Sequence, residues 1–304
     1  MSEIISNRAE ILFLYDVRDS NPNGDPLDEN KPRIDEETGI NIVTDVRLKR
    51  TIRDYLHDFK GEEVFIREVR KDDGKLKTKE DRLGDLKIDS PEALLNCIDI
   101  RLFGATTAIK KKTITFTGPV QFKIGKSMHR VLLKFIKGTT VMPSKEAKGQ
   151  GTFTEEYILP YSLINFYGII NENAAKDTKL TDADVSLLLD AIWNGTKNLI
   201  SRSKAGQMPR LLLKVNYKEK NYHIGDLDSM ITLESNLRDE EIRDITEVKL
   251  DVTELMSVLS SNKEKIASID YKADDRLSFV YNGVEKSFAE CLIDAGMFIN
   301  QLAL

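Results

Sequence analysis

Three stretches of strong hydrophobic patterning set the frame of this chain. Residues 10–17, EILFLYDV, form an apolar run of strand length, closed by the turn-rich segment 19–33. Residues 45–59, DVRLKRTIRDYLHDF, place Leu48, Ile52, Tyr55, Leu56 and Phe59 at i, i+4, i+7, i+8 and i+11. That spacing is one continuous helical stripe, with Thr44 or Asp45 as the N-cap. A second helix is expected over 181–199, opened by the capping box Thr181-x-x-Asp184, with Val185, Leu188, Leu189, Ile192 and Leu199 facing inward.

Weaker patterns fill in the rest. A strand pair is expected over 113–124 and 128–136, a strand over 211–217, another near 246–252, a hairpin over 277–288 and a C-terminal helix over 286–301. Residues 60–112 are charge-dense without apolar periodicity and read as an irregular insertion. Residues 137–156, KGTTVMPSKEAKGQGTFTEE, hold glycines, a proline and few large apolar groups, and read as a protruding, thumb-like loop or ribbon. The order strand, helix, strand, strand, helix, strand predicts an α+β fold of the ferredoxin-like, split βαβ kind. Its antiparallel sheet would carry helices on one face and leave the other open. One core spanning 1–304 would bear insertions at 60–112 and 137–156.

Composition narrows the class. With 40% apolar and 31% charged residues in 304, the chain can bury a substantial core. No segment approaches the roughly 18 apolar residues of a membrane span. The opening MSEIISNRAE lacks a secretory pattern, and Cys97 and Cys291 make no disulfide framework. A reducing cytoplasm is expected, without membrane attachment. His57, His129 and His223 are not spaced as zinc ligands, so neither a metal nor a cofactor is expected.

The net charge of −5 argues against nucleic acid until its distribution is considered. Residues 1–150 carry 28 Lys+Arg against 25 Asp+Glu, and 101–150 alone carry 11 basic residues and one acid, Glu146. Acids gather elsewhere, eight against three bases over 233–254, a surface either solvated or turned toward another copy. A polyanion responds to the local patch, because screening hides charges beyond about 8–10 Å. The first helix adds Arg47, Lys49, Arg50 and Arg53 in seven residues with no acid among them. Cations near a helix N-terminus oppose its dipole, and a docked anion would relieve that conflict.

Several catalytic readings fail on their own chemistry. The loop DSNPNGDPLDEN sets Asp19, Asn21, Asn23 and Gly24 at positions 1, 3, 5 and 6 of a calcium loop, but position 12 is Asn30 and position 8 is Pro26. The string GKS at 125–127 lacks the earlier glycine of a phosphate-binding loop, since Val120 stands there. Ser127 and His129 could share a strand face, but no third triad member is identifiable. Asp16, Asp19, Asp25 and Asp28 could gather at a divalent metal, though Asp and Asn also suit turns and caps for purely structural reasons.

Binding to RNA backbone accounts for more features together. The cations of the first helix, Lys110, Lys111 and Lys112, and the series Lys123, Lys126 and Arg130 supply phosphate contacts. The Asn/Gly loop supplies amides and backbone N–H groups, with Asn21, Asn23 and Lys31 as its contacting residues. Single-stranded RNA is commonly gripped on the open face of such sheets. With no aromatic-rich ribonucleoprotein motif, a sequence-tolerant grip is the better expectation.

At these residues a family becomes recognisable. The run LYDVRDSNPNGDPLDENKPRIDEETGINIVTDVRLKRTIRDYL closely resembles the start of the backbone-forming subunit, of the RAMP superfamily, in type I CRISPR Cascade complexes. The nearest variety is that of subtype I-B, then I-C. RLFGATT (101–107), TGPVQF (117–122) and WNGTKNLISRSKAGQMPRLLLKV (193–215) agree. The resemblance covers most of the chain, most specifically 11–56 and least over 60–90 and 220–280. It implies an RNA-recognition-motif-like palm with finger and thumb insertions, in a subunit that polymerises head to tail along a guide RNA. Target DNA would then pair with the guide beside further Cascade subunits, one binding the repeat handle and one large. By the same resemblance Thr44, Lys49, Arg50 and Arg53 lie on the guide's backbone, with Lys204 and Gln207 approaching it. Val141 and Met142 would be thumb wedges that splay nucleotides. Type III relatives cleave RNA with a loop aspartate, whereas type I relatives do not. A non-catalytic scaffold is therefore expected, and a metal-dependent ribonuclease using Asp16, Asp19 or Asp25 is the alternative.

Overall fold

A computed structural model describes residues 3–139 and 153–304. The central strands and helices are β1 (Ala9–Ser20), β2 (Ile40–Val43), α1 (Asp45–Lys60), β3 (Gly125–Arg130), β4 (Lys134–Thr139), β5 (Phe153–Ile170), α2 (Asp182–Lys197), β6 (Gln207–Tyr217), β7 (Ile266–Ala273) and β8 (Ile299–Gln301). They build a mixed α+β fold around a nine-stranded sheet of order β8-β7-β6-β1-β5-β3-β2; β4 and the short strand Val120–Phe122 also pair with β5. Within this sheet, among the described residues, β7 and β8 alone pair in parallel. Leu12 stands opposite Tyr167 of β5 and Leu213 of β6, so β1 is the centre of the sheet.

Both faces of β1 are buried, which explains why its sequence is a continuous apolar run rather than an alternation. Ile11, Phe13, Tyr15 and Val17 face α1 and α2, meeting Leu48, Ile52 and Leu56 from one helix and Val185, Leu188 and Ile192 from the other. The helices approach closely at Gly195, where an added Cβ would stand 3.0 Å from the Tyr55 Cβ. Thr44 caps α1 and Thr181 caps α2, the latter in the expected capping box with Asp184. Phe59 departs from the expected stripe: near the end of α1 it is 60% exposed, its ring stacked on Tyr55.

The opposite face is not open. Leu12, Leu14, Tyr161, Leu163, Leu211 and Leu213 pack under a second layer contributed by residues beyond β6, including Leu250, Leu255, Leu259, Phe279 and Phe288. That layer contains a small four-stranded sheet and helices Thr253–Ser261 and Phe288–Asp294. Glu10 fastens it. The fully buried carboxylate accepts hydrogen bonds from the Tyr167 and Tyr217 hydroxyls, from Ile224 N at 2.9 Å and from Gly225 N at 2.8 Å. Burial and the neighbouring carboxylate push both phenols well above the ordinary tyrosine range. An RNA strand therefore cannot lie on that face as expected for an uncovered sheet. Some acids of 233–254 are engaged in ion pairs: Asp244 with Arg18 of β1 and with Arg276, and Glu240 with Arg130 of β3.

Other boundaries differ from the pattern. The expected strand pair 113–124 and 128–136 is instead a hairpin of Gly104–Ile109 with Lys112–Thr117, while β3 and β4 are separate strands that both pair with β5. Residues 60–112 are more ordered than their charge density suggested. They hold short helices Lys79–Asp85, Pro91–Leu94 and Ile98–Phe103, around a small core of Phe65, Leu83, Ile88, Leu94, Ile100 and Ile109. The strand near 246–252 is confined to Lys249–Asp251, and the C-terminal helix ends at Asp294 before β8. The hairpin over 277–288 forms as Ser278–Tyr281 with Val284–Lys286. Val141, Met142 and the middle of 137–156 lie outside the described residues.

Candidate nucleic-acid interface

The loop after β1 folds onto the N-terminus of α1 and is sewn there by asparagines. Asn23 Oδ1 accepts from both Thr44 N and Thr44 Oγ1 at 2.9 Å, and Thr44 Oγ1 in turn accepts from Arg47 N at 3.3 Å. The helix cap thus extends back into the loop, satisfying donors that a bare N-terminus leaves orphaned. Asn21 is almost fully buried; its Nδ2 donates to Asn30 O at 2.6 Å, and its backbone N donates to Ser203 O at 2.9 Å. Gly24–Asp25 and Lys31–Pro32 pair as a miniature hairpin between them.

The segment 201–206 closes the other side. Ser20 Oγ donates to Ser203 O at 2.8 Å, and Lys204 Nζ donates to Asn21 O. Gly206 has φ +88°, a conformation that glycine adopts without strain, and turns the chain into β6. Burial, reinforced by the Arg47 charge, lowers the Lys204 ammonium to about 8. Burial likewise lowers the Arg47 guanidinium below the usual arginine range.

Six buried side-chain polar atoms have no partner among the described residues, and four of them belong here: Asn21 Oδ1, Arg33 Nε, Arg47 Nε and Gln207 Nε2. A buried unpaired donor or acceptor costs about 1–3 kcal/mol, so such a cluster is expensive unless a ligand completes it. Three of the atoms are donors and one is an acceptor. That set suits a ligand with anionic oxygens and a hydroxyl. Arg33 is not among the candidates expected from sequence, whereas Arg47 is one of the first-helix cations expected to meet phosphate and sits one turn from the cap, where an anion at the helix N-terminus would stand.

The structure gathers Asn21, Asn23, Thr44, Lys204 and Gln207 at this one place. Other candidates are engaged elsewhere. Lys49 is buried, paired with Asp45 at 3.1 Å and bonded to Gln121 at 3.1 Å. Arg53 reaches the fully buried Asp99 at 3.1 Å, and both cations lie over the Phe103 ring. The expectation of four free cations on the outer face of α1 is therefore corrected: Lys49 and Arg53 tie the helix to the segment before β3. Arg50 remains half-exposed, with Asp54 at 3.0 Å. Lys31 pairs with Asp28 at 2.7 Å on the loop's outer side, over the Tyr157 ring. Lys110 and Lys111 form the left-handed turn of the hairpin over 104–117, with Lys110 near Asp89, and belong to a different surface.

Asp16 and Asp25 are likewise engaged. Asp16 is buried between Arg210 at 2.9 Å and the Tyr161 hydroxyl at 3.1 Å, and desolvation raises its pKa despite these partners. Asp25 pairs with Arg33 at 2.7 Å, and among the described residues no group of three or more His, Cys, Asp or Glu is arranged to hold a metal ion. Ser127 and His129 do not meet as nucleophile and base. The Ser127 hydroxyl donates to His129 O at 2.7 Å, while His129 Nε2 accepts from Leu163 N and leaves Nδ1–H for Arg130 O. Burial lowers the His129 pKa, consistent with that neutral form.

Comparison with known proteins agrees with the sequence resemblance. The family model for CRISPR-associated protein Cas7 matches residues 7–253. A CRISPR-associated protein Cas7 from Haloferax volcanii is 35% identical over 305 residues, covering 89% of this chain and 88% of the relative. Among solved structures, a chain of a pre-nicking CRISPR RNA-guided surveillance complex shares the fold with TM-score 0.59 at 13% identity, covering 97% and 96% of the two chains. A chain of another CRISPR RNA-guided surveillance complex gives TM-score 0.53 at 16% identity, covering 95% and 98%.

Proposed function

The chain belongs to the CRISPR-associated protein Cas7 family, and from that premise we propose that it is a non-catalytic subunit that binds a CRISPR guide RNA and polymerises along it. It forms the backbone of a type I Cascade complex, closest to subtype I-B, and supports pairing of the guide with target DNA. The observation that carries this reading is the cluster of unpaired buried groups where the loop after β1, the N-terminus of α1 and the segment before β6 converge. Arg33, Arg47 and Gln207 donate to phosphate oxygens, and Asn21 Oδ1 accepts from a ribose 2′-hydroxyl. Lys204 and Arg50 supply charge, and Asn23 and Thr44 hold the cradle in shape. The grip is on backbone, so it tolerates any spacer sequence.

In this reading β6, β1, β5 and β3 with α1 and α2 are an RNA-recognition-motif-like palm; their spatial order and the placing of both helices on one face support it. The segment over 60–112 is the finger. The ribbon begun by β4 and the outer end of β5, including 137–156, is the thumb, with Val141 and Met142 as its wedges. The partners are further copies of the chain, the repeat-handle-binding subunit and the large subunit. The alternative, a metal-dependent ribonuclease using Asp16, Asp19 or Asp25, is disfavoured by the ion pairs that occupy Asp16 and Asp25.

Anisotropy titration of a repeat–spacer RNA over a salt series tests the reading. Binding that weakens linearly in log salt and is equal for unrelated spacers is expected. Guide-complementary RNA should stay intact with Mg²⁺; cutting that Asp25→Ala abolishes would establish the nuclease instead.

A further inference from the structure

Five lysines and arginines stand along α1, and four of them are matched. Lys49 pairs with Asp45 at 3.1 Å, Arg50 with Asp54 at 3.0 Å, Arg53 with Asp99 at 3.1 Å and Lys60 with Asp190 at 2.5 Å. Arg47 alone has no carboxylate within ion-pair distance among the described residues, although its guanidinium is half-buried. The charged and titratable groups that feel it are Arg50 and Asp54 on the same helix, Tyr15 on β1 and Lys204 across the cradle. The one carboxylate among them, Asp54, is already held by Arg50.

What fixes Arg47 is a neutral group. Arg47 Nη2 donates to Thr51 Oγ1 at 3.0 Å, and the same hydroxyl donates to Arg47 O at 3.2 Å. Threonines inside helices commonly bond back to the carbonyl one turn earlier. Here that bond uses the only hydroxyl hydrogen, so Oγ1 meets the guanidinium purely as an acceptor. Thr51 is itself buried, and α2 packs over it: a Cβ added at Gly195 would lie 3.5 Å from Thr51 O. A carboxylate in place of this hydroxyl would orient the arginine equally well, but it would offset the charge and repel an anion. The hydroxyl orients the side chain and leaves its whole charge, with Nε unpartnered, for a ligand.

We propose that Thr51 is a positioning residue for RNA: it touches no nucleotide, and it holds Arg47 in the pose that meets a phosphate in the cradle. The inference rests on the RNA-binding reading above and deepens it. The buried face of α1 then does two things at once, packing Leu48 and Ile52 into the core and aiming an arginine from the turn above. Arg47 arrives at its ligand already ordered, so binding does not have to immobilise a long side chain.

The test is anisotropy with a repeat–spacer RNA over a salt series. Thr51→Val and Thr51→Ala, the second a better helix former, should each lose about three- to tenfold in affinity, the cost of ordering a freed arginine. Their salt slope should stay that of wild type, because the charge is still present. Thr51→Ser keeps the hydroxyl and should bind like wild type. Arg47→Met should lower both the affinity and the slope, the slope by about 1. Adding Thr51→Val to Arg47→Met should then cost nothing more, whereas a merely structural role would make the loss persist. That persisting loss, or wild-type binding by either hydroxyl-free variant, overturns the proposal. Wild-type binding by Arg47→Met overturns it too, and leaves the scaffold reading standing on the other cradle groups. A wild-type protein that does not bind RNA sinks the scaffold reading itself, and this inference with it.

Discussion

Lys204 donates its ammonium hydrogen to the main-chain carbonyl of Asn21, closing the segment before β6 onto the loop after β1. The contact holds a partly desolvated cation beside Arg47, with its pKa brought down to about 8. A phosphate at this position would favour the charged ammonium and raise that value. The gain in RNA affinity is then complete below the free-state pKa and is lost as pH rises through the value in the complex. Affinity is expected to fall between pH 7.5 and 9.5 by at most about tenfold per pH unit. Lys204→Arg should bind without that dependence, as read by anisotropy at fixed ionic strength.

Asn23→Ala removes the acceptor shared by Thr44 N and Thr44 Oγ1. A loss of about 1–2 kcal/mol in urea unfolding is expected, typical of a helix cap. RNA affinity should fall with it, because the loop is no longer fixed to α1.

Arg50 and Lys49 should separate cleanly. Arg50→Glu is expected to lower the salt slope of RNA binding by about 1 or more with little change in the unfolding midpoint. Lys49→Glu would set a carboxylate against Asp45 and forfeit the bond to Gln121. Its signature should be lower thermal stability.

Asp99→Ala would leave Arg53 buried without its counter-ion and would strip the acceptors from Phe65 N and Ile66 N. A cost of about 3–5 kcal/mol is expected, as for other broken buried pairs. Hydrogen exchange should rise first in residues 61–117, where the small separate core lies.

The helices were legible because each is one amphipathic stripe with a side-chain cap. Leu48, Ile52 and Leu56, or Val185, Leu188 and Ile192, repeat at a spacing that only a helix brings onto one face. Phe59 continues the same stripe, yet it is exposed, because periodicity does not reveal which positions of a stripe a neighbour covers. The long strand β5 was not anticipated: Tyr161, Leu163, Ile164 and Phe166 are buried on both faces, and such a run has no alternation. The covering of the second sheet face was hidden for a related reason, since its clasp is Glu10, a carboxylate within an apolar strand. The cradle was half legible. Asn23 and Thr44 follow from turn and cap chemistry, whereas the unpaired state of the Arg33 and Arg47 Nε atoms is a fact of packing. Sequence overstated Lys49 and Arg53 because a charge count cannot tell a solvated cation from one bound to Asp99 or Asp45.

The strand β5 also has a mechanical consequence. It runs unbroken for eighteen residues, about 60 Å, pairing with β1 at one end and with β4 at the other. The projecting hairpin and the middle of the sheet are therefore parts of one beam rather than two bodies on a hinge. A sideways load on the hairpin is carried as shear across the ladder between β5 and β1, where Asp16 faces Leu163, and so reaches the strand that leads into the cradle.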